Sequence, residues 1–224
     1  MINRGWIAFL FLWVTAWQPV VAQVKDAGLW LSVDVEKKIT PAFSASLTEE
    51  VRMNENVTEV GSLLTDLGLK YRFGERFKAG VSYRFTKKRL LDDSYSTFHS
   101  WYVDFTYREK LKPIQLLVRV RYQSKYTEPQ TSDDASIPTD RTRLKLTLKY
   151  DLNSDFEPYF YAESFFNFTT PVYSPFNEMR WCAGVEYHFN RMHGVDLHYM
   201  ISKEYNVRRP ETNFVIGIGY SLTF

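Results

Sequence analysis

An all-β fold, a single antiparallel up-and-down transmembrane β-barrel of about 10–12 strands, follows from three features of this chain. It begins with an export signal, it alternates apolar and polar residues to its last position, and its connections alternate between short and long.

The export signal occupies residues 1–22. Arg4 precedes an apolar stretch from Trp6 to Trp17, and Pro19 and the small-residue end Val20-Val21-Ala22 follow. A positive segment, a short apolar core and a small-residue end mark a cleaved secretory signal, and the run is too short to span a bilayer as a helix. The mature chain, residues 23–224, is then a single barrel domain.

Each later segment has one apolar and one polar face, as a strand between two solvents must. In order these faces are Leu29/Leu31/Val33/Val35, Phe43/Ala45/Leu47/Val51/Met53 with Glu49 as the one breach, and Leu63/Leu67/Leu69/Tyr71/Phe73. Phe77/Ala79/Val81/Tyr83/Phe85, Trp101/Val103/Phe105/Tyr107 and Ile114/Leu116/Val118/Val120/Tyr122 continue the series. Leu144/Leu146/Leu148/Tyr150, Phe156/Phe160/Ala162/Phe166/Phe168 and Trp181/Ala183/Val185/Tyr187/Phe189 precede Val195/Leu197/Tyr199/Ile201 and Ile216/Ile218/Tyr220/Leu222/Phe224.

Short turns fall at Lys37–Pro41, Gly74–Arg76, Glu109–Pro113, Asn153–Asp155 and Asn190–Gly194. Longer loops fall between them, at Asn54–Val60, Lys87–Thr97, Ser124–Asp140, Thr169–Asn177 and Glu204–Thr212. Short periplasmic turns and longer extracellular loops are the arrangement of an outer-membrane barrel. Aromatic residues close the apolar faces at Tyr71, Phe73, Tyr107, Tyr150, Tyr187 and Phe189 on the turn side, and at Tyr83, Phe85 and Tyr122 toward the other side. Such girdles sit at headgroup level. The last strand ends Tyr220-Ser221-Leu222-Thr223-Phe224. Tyr220, Leu222 and Phe224 resemble the insertion signal of bacterial outer-membrane barrels, which implies the barrel assembly machinery and outer-membrane lipid as partners.

Composition excludes other classes. The 224 residues carry Lys+Arg 28 against Asp+Glu 26 without a basic block, so no nucleic-acid partner is expected. One cysteine makes neither an internal disulfide nor a cysteine-based zinc site. A mean hydropathy of −0.33 excludes a helical multi-span protein and leaves a barrel open.

Gly28-Leu29-Trp30, Val35-Glu36-Lys37-Lys38, Glu49-Glu50-Val51-Arg52, Leu91-Asp92-Asp93-Ser94-Tyr95, Leu146-Thr147-Leu148-Lys149-Tyr150 and Gly184-Val185-Glu186-Tyr187 occur in an order and spacing that resemble the domain of unknown function 2490 family. The resemblance covers nearly the whole mature chain. It implies an exported outer-membrane barrel and supplies no activity and no catalytic residue.

With lipid on the apolar face, the polar face lines the interior. Alternation places Arg52, Lys70, Arg72, Lys78, Arg84, Arg108, Arg119, Arg121, Arg143, Lys145, Lys149 and Arg180 there. It adds the acids Asp34, Glu36, Glu50, Asp66, Asp104, Glu163, Glu186 and Asp196. A basic lumen favours small anionic solutes, whereas in a narrow barrel the same charges pair and close the interior. Both readings stand: a closed structural or surface barrel, or a small passive pore.

Two other classes are weighed. A lipid-modifying barrel enzyme needs a serine within reach of a histidine, but His99 and Ser100 are adjacent on a strand and point to opposite faces. His188 and His198, on consecutive strands, could meet inside beside Glu186 or Asp196 as a metal or proton site. Hydrogen-bonded interior residues are the commoner outcome, so no catalytic residue, metal or cofactor is expected. The second alternative is a soluble ligand-binding barrel. Asp92-Asp93 and Asp133-Asp134 are candidate cation loops without a surrounding ligand pattern.

Strand parity sets a puzzle. Loops outside and a C-terminus inside put Gln23 on the outer side, which an even barrel does not allow. Either the first strand does not span, or the segment before Trp30 threads the lumen or adds a twelfth strand.

Overall fold

The computed structural model describes residues 24–90, 92–127, 138–152, 154–169 and 174–224. The export signal and Asp133-Asp134 lie outside the described residues.

Eleven strands form in chain order: β1 (Val24–Lys38), β2 (Phe43–Asn54), β3 (Glu59–Phe73), β4 (Phe77–Arg89), β5 (Tyr95–Leu111), β6 (Ile114–Thr127), β7 (Thr139–Tyr150), β8 (Phe156–Asn167), β9 (Phe176–His188), β10 (His193–Glu204) and β11 (Glu211–Thr223). They close into one barrel in which every chain neighbour pairs antiparallel and β1 meets β11. The all-β closed barrel expected from the alternation is the fold observed.

The parity puzzle has an answer that neither expectation contained. β1 pairs with β11 in parallel, from Val24↔Glu211 to Glu36↔Thr223, so an odd barrel closes without a twelfth strand or a threaded segment. The seam is secured at its end, where Lys38 N–H donates to the Phe224 carbonyl at 2.7 Å and Phe224 N–H to the Glu36 carbonyl at 3.0 Å. A parallel seam follows from an odd number of spans: when both terminal strands run toward the turn rim, only a parallel ladder can satisfy their backbone groups.

The strands are longer than the roughly 9–11 residues that a tilted span needs, up to 17 residues in β5, and they absorb loop residues. The Lys87–Thr97 loop shrinks to residues 90–94, and the Asn54–Val60 loop to residues 55–58, no longer than the 39–42 turn. The Asp26 carboxylate of β1 organises that tight connection by accepting N–H bonds from Glu55 (3.0 Å) and Asn56 (2.8 Å). Sorting of lengths survives at 128–138, 168–175 and 205–210, each longer than any connection on the turn rim.

The two faces are the inverse of a soluble protein. Leucine, valine, isoleucine or ring side chains of every strand but β9 lie exposed on the outside, far more apolar surface than water tolerates on a monomer. The turn-rim girdle contains the edge-to-face pairs Tyr71–Phe73 (4.6 Å) and Tyr187–Phe189 (4.9 Å). Toward the loop rim, Tyr83 packs on Trp101 at 4.8 Å and His99 stacks on Tyr126 at 5.5 Å. The buried apolar core is small and sits inside the barrel against the seam: Cys182, Met200 and Val215, packed by Trp30, Tyr159 and Tyr161.

Candidate functional site: a charged lumen

Side-chain alternation sends one residue in two of each strand inward, and most of the interior charges neutralise one another there. Arg84 of β4 pairs with Asp66 of β3, its Nε at 2.7 Å. Arg121 of β6 grips Asp104 of β5 through two bonds of 2.6 Å. Arg143 of β7 makes two bonds to Glu163 of β8, and Arg119 reaches the same carboxylate over β7 at 2.8 Å. Arg52 binds Glu50 and Arg180 binds Glu178 along their own strands, both at 2.6 Å. Six guanidinium groups therefore share five carboxylates, and Glu163, 2% exposed, serves two of them. Buried charges persist only with such partners.

Aromatic rings space the guanidinium groups. Arg52 lies over Trp30 at 3.8 Å, Arg121 over Tyr102 at 4.0 Å, and Arg143 and Arg180 each over Phe165 at 4.5 Å. Cation–π attraction compensates part of the desolvation of these cations. Lys145 has a ring, Tyr161 at 3.4 Å, and no carboxylate in ion-pair contact among the described residues.

Toward the turn rim the charges separate by wall. Acids come from β1 and β8–β10, bases from β3–β7. Lys70 crosses to Glu36 at 2.5 Å and Lys149 to Glu186 at 2.6 Å, each passing over an intervening strand. Arg72 stands exposed at the rim, while Lys78 faces the cavity and Arg108 points inward; none of the three makes an ion pair among the described residues.

His188 and His198 do not meet. The register sets His188 opposite Gly194 and His198 opposite Gly184, so each turns to a different carboxylate. His198 Nδ1 lies 2.5 Å from Asp196, whose other oxygen accepts the Tyr159 hydroxyl at 2.7 Å. Gly217 makes room for this group: a Cβ there would stand 2.1 Å from the His198 ring. His188 Nε2 lies 3.8 Å from Glu186 and 3.9 Å from Glu157, a trio that could hold a cation were the Lys149 ammonium not already against it. His99 is bonded to Tyr83 on the outer face, while Ser100 is buried inside, the opposition the alternation requires.

The loop acids are engaged locally. Asp92 accepts both the N–H and the hydroxyl of Ser94, bonds that hold its carboxyl below the ordinary range, and Asp93 pairs with Arg89 at 2.6 Å. At the C-terminus Tyr220 and Leu222 share the outer face of β11, Phe224 is the next residue after that strand, and the Tyr220 hydroxyl bonds His193 Nδ1 at 2.6 Å.

Three cavities follow one another down the lumen. The loop-side chamber holds about 480 Å³, the middle one about 260 Å³ and the turn-side one about 430 Å³. Asp66, Tyr102, Arg119 and Arg121 are walls of both upper chambers, and Asp34 and Lys70 of both lower ones. Ten wall residues of the loop-side chamber are Arg or Lys, against two acids, Asp66 and Glu163. Among the ten are Lys88, Lys125 and Arg141, which the sequence assigned to loops or their edges; extending the alternation from Gln123 to Lys125 and from Arg143 to Arg141 finds them. Trp30, Tyr102 and Phe165 have inward parity too, but ring side chains on the polar face were not counted as lumen.

A family model described as "Protein of unknown function (DUF2490)" matches residues 27–213. No curated protein sequence matches the chain. Among solved structures, the beta domain of the Bordetella autotransporter BrkA is similar with a TM-score of 0.53 and 12% identity, over 83% of this chain and 85% of that one. A NanC porin is similar with a TM-score of 0.53 and 12% identity, over 89% of this chain and 99% of that one. At this identity the likeness concerns the barrel fold.

Proposed function

We propose that this chain, which belongs to the DUF2490 family, is an exported outer-membrane barrel that acts as a narrow passive passage for small anions. Cleavage after Ala22 releases it to the periplasm, and the barrel assembly machinery reads Tyr220, Leu222 and Phe224. An apolar outer band between two aromatic girdles supports the membrane location and counts against a water-soluble barrel.

One observation carries the anion preference: the loop-side chamber, with ten basic wall residues and two acidic ones. Such a wall concentrates anions and repels cations. Eleven strands lie between the filled interior of about 8 and the open channel of about 16–18. Passage then depends on movement of the partitions at Tyr102/Arg121 and at Asp34/Lys70. No histidine hydrogen-bonds a serine among the described residues, which favours a passive role over lipid hydrolysis.

The ion pairs that span those partitions favour the second reading, a closed structural barrel. Planar-bilayer recording across a KCl gradient separates the two. The proposal expects conductance with a reversal potential on the anion-selective side. A cation-selective reversal potential, or silence from protein shown to be inserted, overturns it.

A further inference from the structure

Lys125 is a part-buried interior cation without an ion pair among the described residues. Its ammonium lies 3.8 Å over the Phe98 ring and has no carboxylate partner among the described residues; the charges acting on it there are those of Lys88 and Arg141, both positive. Neither of those makes an ion pair among the described residues. Arg141 carries a buried Nε without a hydrogen-bond partner, and Arg119, on the same chamber wall, carries another. Glu178 and Glu204 sense the charge of Arg141 without contacting it, and Glu178 is committed to Arg180 and Ser202.

Three cations from β4, β6 and β7 thus line one chamber at the loop-side mouth, and none of them has a carboxylate in ion-pair contact among the described residues. Lys88 is exposed, and Lys125 and Arg141 are part-buried; a diffusible anion held among the three relieves their mutual repulsion and supplies a counter-charge. Guanidinium and ammonium donors match the oxygens of a tetrahedral oxyanion better than a halide, because the Arg fork addresses two oxygens at once. We infer that Lys88, Lys125 and Arg141 form an oxyanion-binding seat for a phosphate- or sulfate-bearing solute. The inference rests on the proposed aqueous, anion-accepting lumen, but binding is an equilibrium property and is measured without conduction.

The test is calorimetric titration of the full mature chain, folded in detergent micelles, with inorganic phosphate in a low-chloride buffer and with chloride as the comparison. The expected result is saturable phosphate binding, tighter than chloride, that Lys125→Gln weakens about tenfold or more. Gln123→Glu removes no base: Gln123 is the cross-strand partner of Arg141 and lies on the inward face two residues from Lys125. A carboxylate there supplies the missing counter-charge, so this variant also loses phosphate. Lys37→Gln, on the outer face, leaves binding unchanged. Absence of saturable binding, or wild-type affinity in both Lys125→Gln and Gln123→Glu, overturns the seat. Anion-selective conductance without phosphate binding defeats the seat alone; phosphate binding by an inserted, silent barrel defeats the passage alone.

Discussion

Arg143 of β7 reaches diagonally to Glu163 of β8 with two hydrogen bonds of 3.1 and 2.9 Å, and Arg119 takes the first of those carboxylate oxygens as well. Two guanidinium groups thus depend on one buried acid. Glu163→Gln leaves both without their counter-charge and is expected to cost about 3–5 kcal/mol. Urea unfolding from detergent or lipid measures this as a lower midpoint. An unchanged midpoint shows that water, not Glu163, compensates the two arginines.

The parallel seam fixes which residues touch. Asp34 is the partner of Ser221, and both point inward. In a Cys182→Ser background, Asp34→Cys with Ser221→Cys is expected to cross-link on mild oxidation, since ladder partners fall within disulfide reach. Asp34→Cys with Leu222→Cys places the thiols on opposite faces and is expected to stay reduced. The reverse pattern means a register shifted by one residue.

Gly217 leaves the space that the His198 ring occupies. Gly217→Ala is expected to destabilise by about 1–3 kcal/mol through overpacking. Adding His198→Ala removes the collision and recovers most of that loss, giving a strongly non-additive pair in a double-mutant cycle. Additive effects would place the imidazole elsewhere.

Much of this molecule was legible because its two solvents differ at every second residue. The run Leu29, Leu31, Val33, Val35 marks an outer face with no structure at hand, and the same parity places Arg121 and Glu163 inside. The seam was not legible: whether β1 meets β11 in parallel depends on the number of spans and on closure over almost the whole chain, which no local pattern encodes. Whether the two inward histidines meet was not legible either. His188 and His198 belong to one strand pair, but only the register reveals that each faces a glycine. Loop boundaries failed where strands run longer than a tilted span needs, and Lys88, Lys125 and Arg141 were hidden there. Lumen rings such as Phe165 violate the equation of inward with polar, because a barrel this narrow packs part of its interior as a core.

The assignment of lipid to the outer face and charge to the inner one underlies every step. Trp101 is 52% exposed on the outer face of β5, whereas Trp30 lies inside beneath the Arg52 guanidinium. Two variants of the mature chain that each retain only one of these tryptophans, reconstituted in bilayers with brominated acyl chains, test the assignment most directly. The account predicts strong quenching of Trp101 fluorescence and weak quenching of Trp30. Equal quenching, or stronger quenching of Trp30, would contradict it.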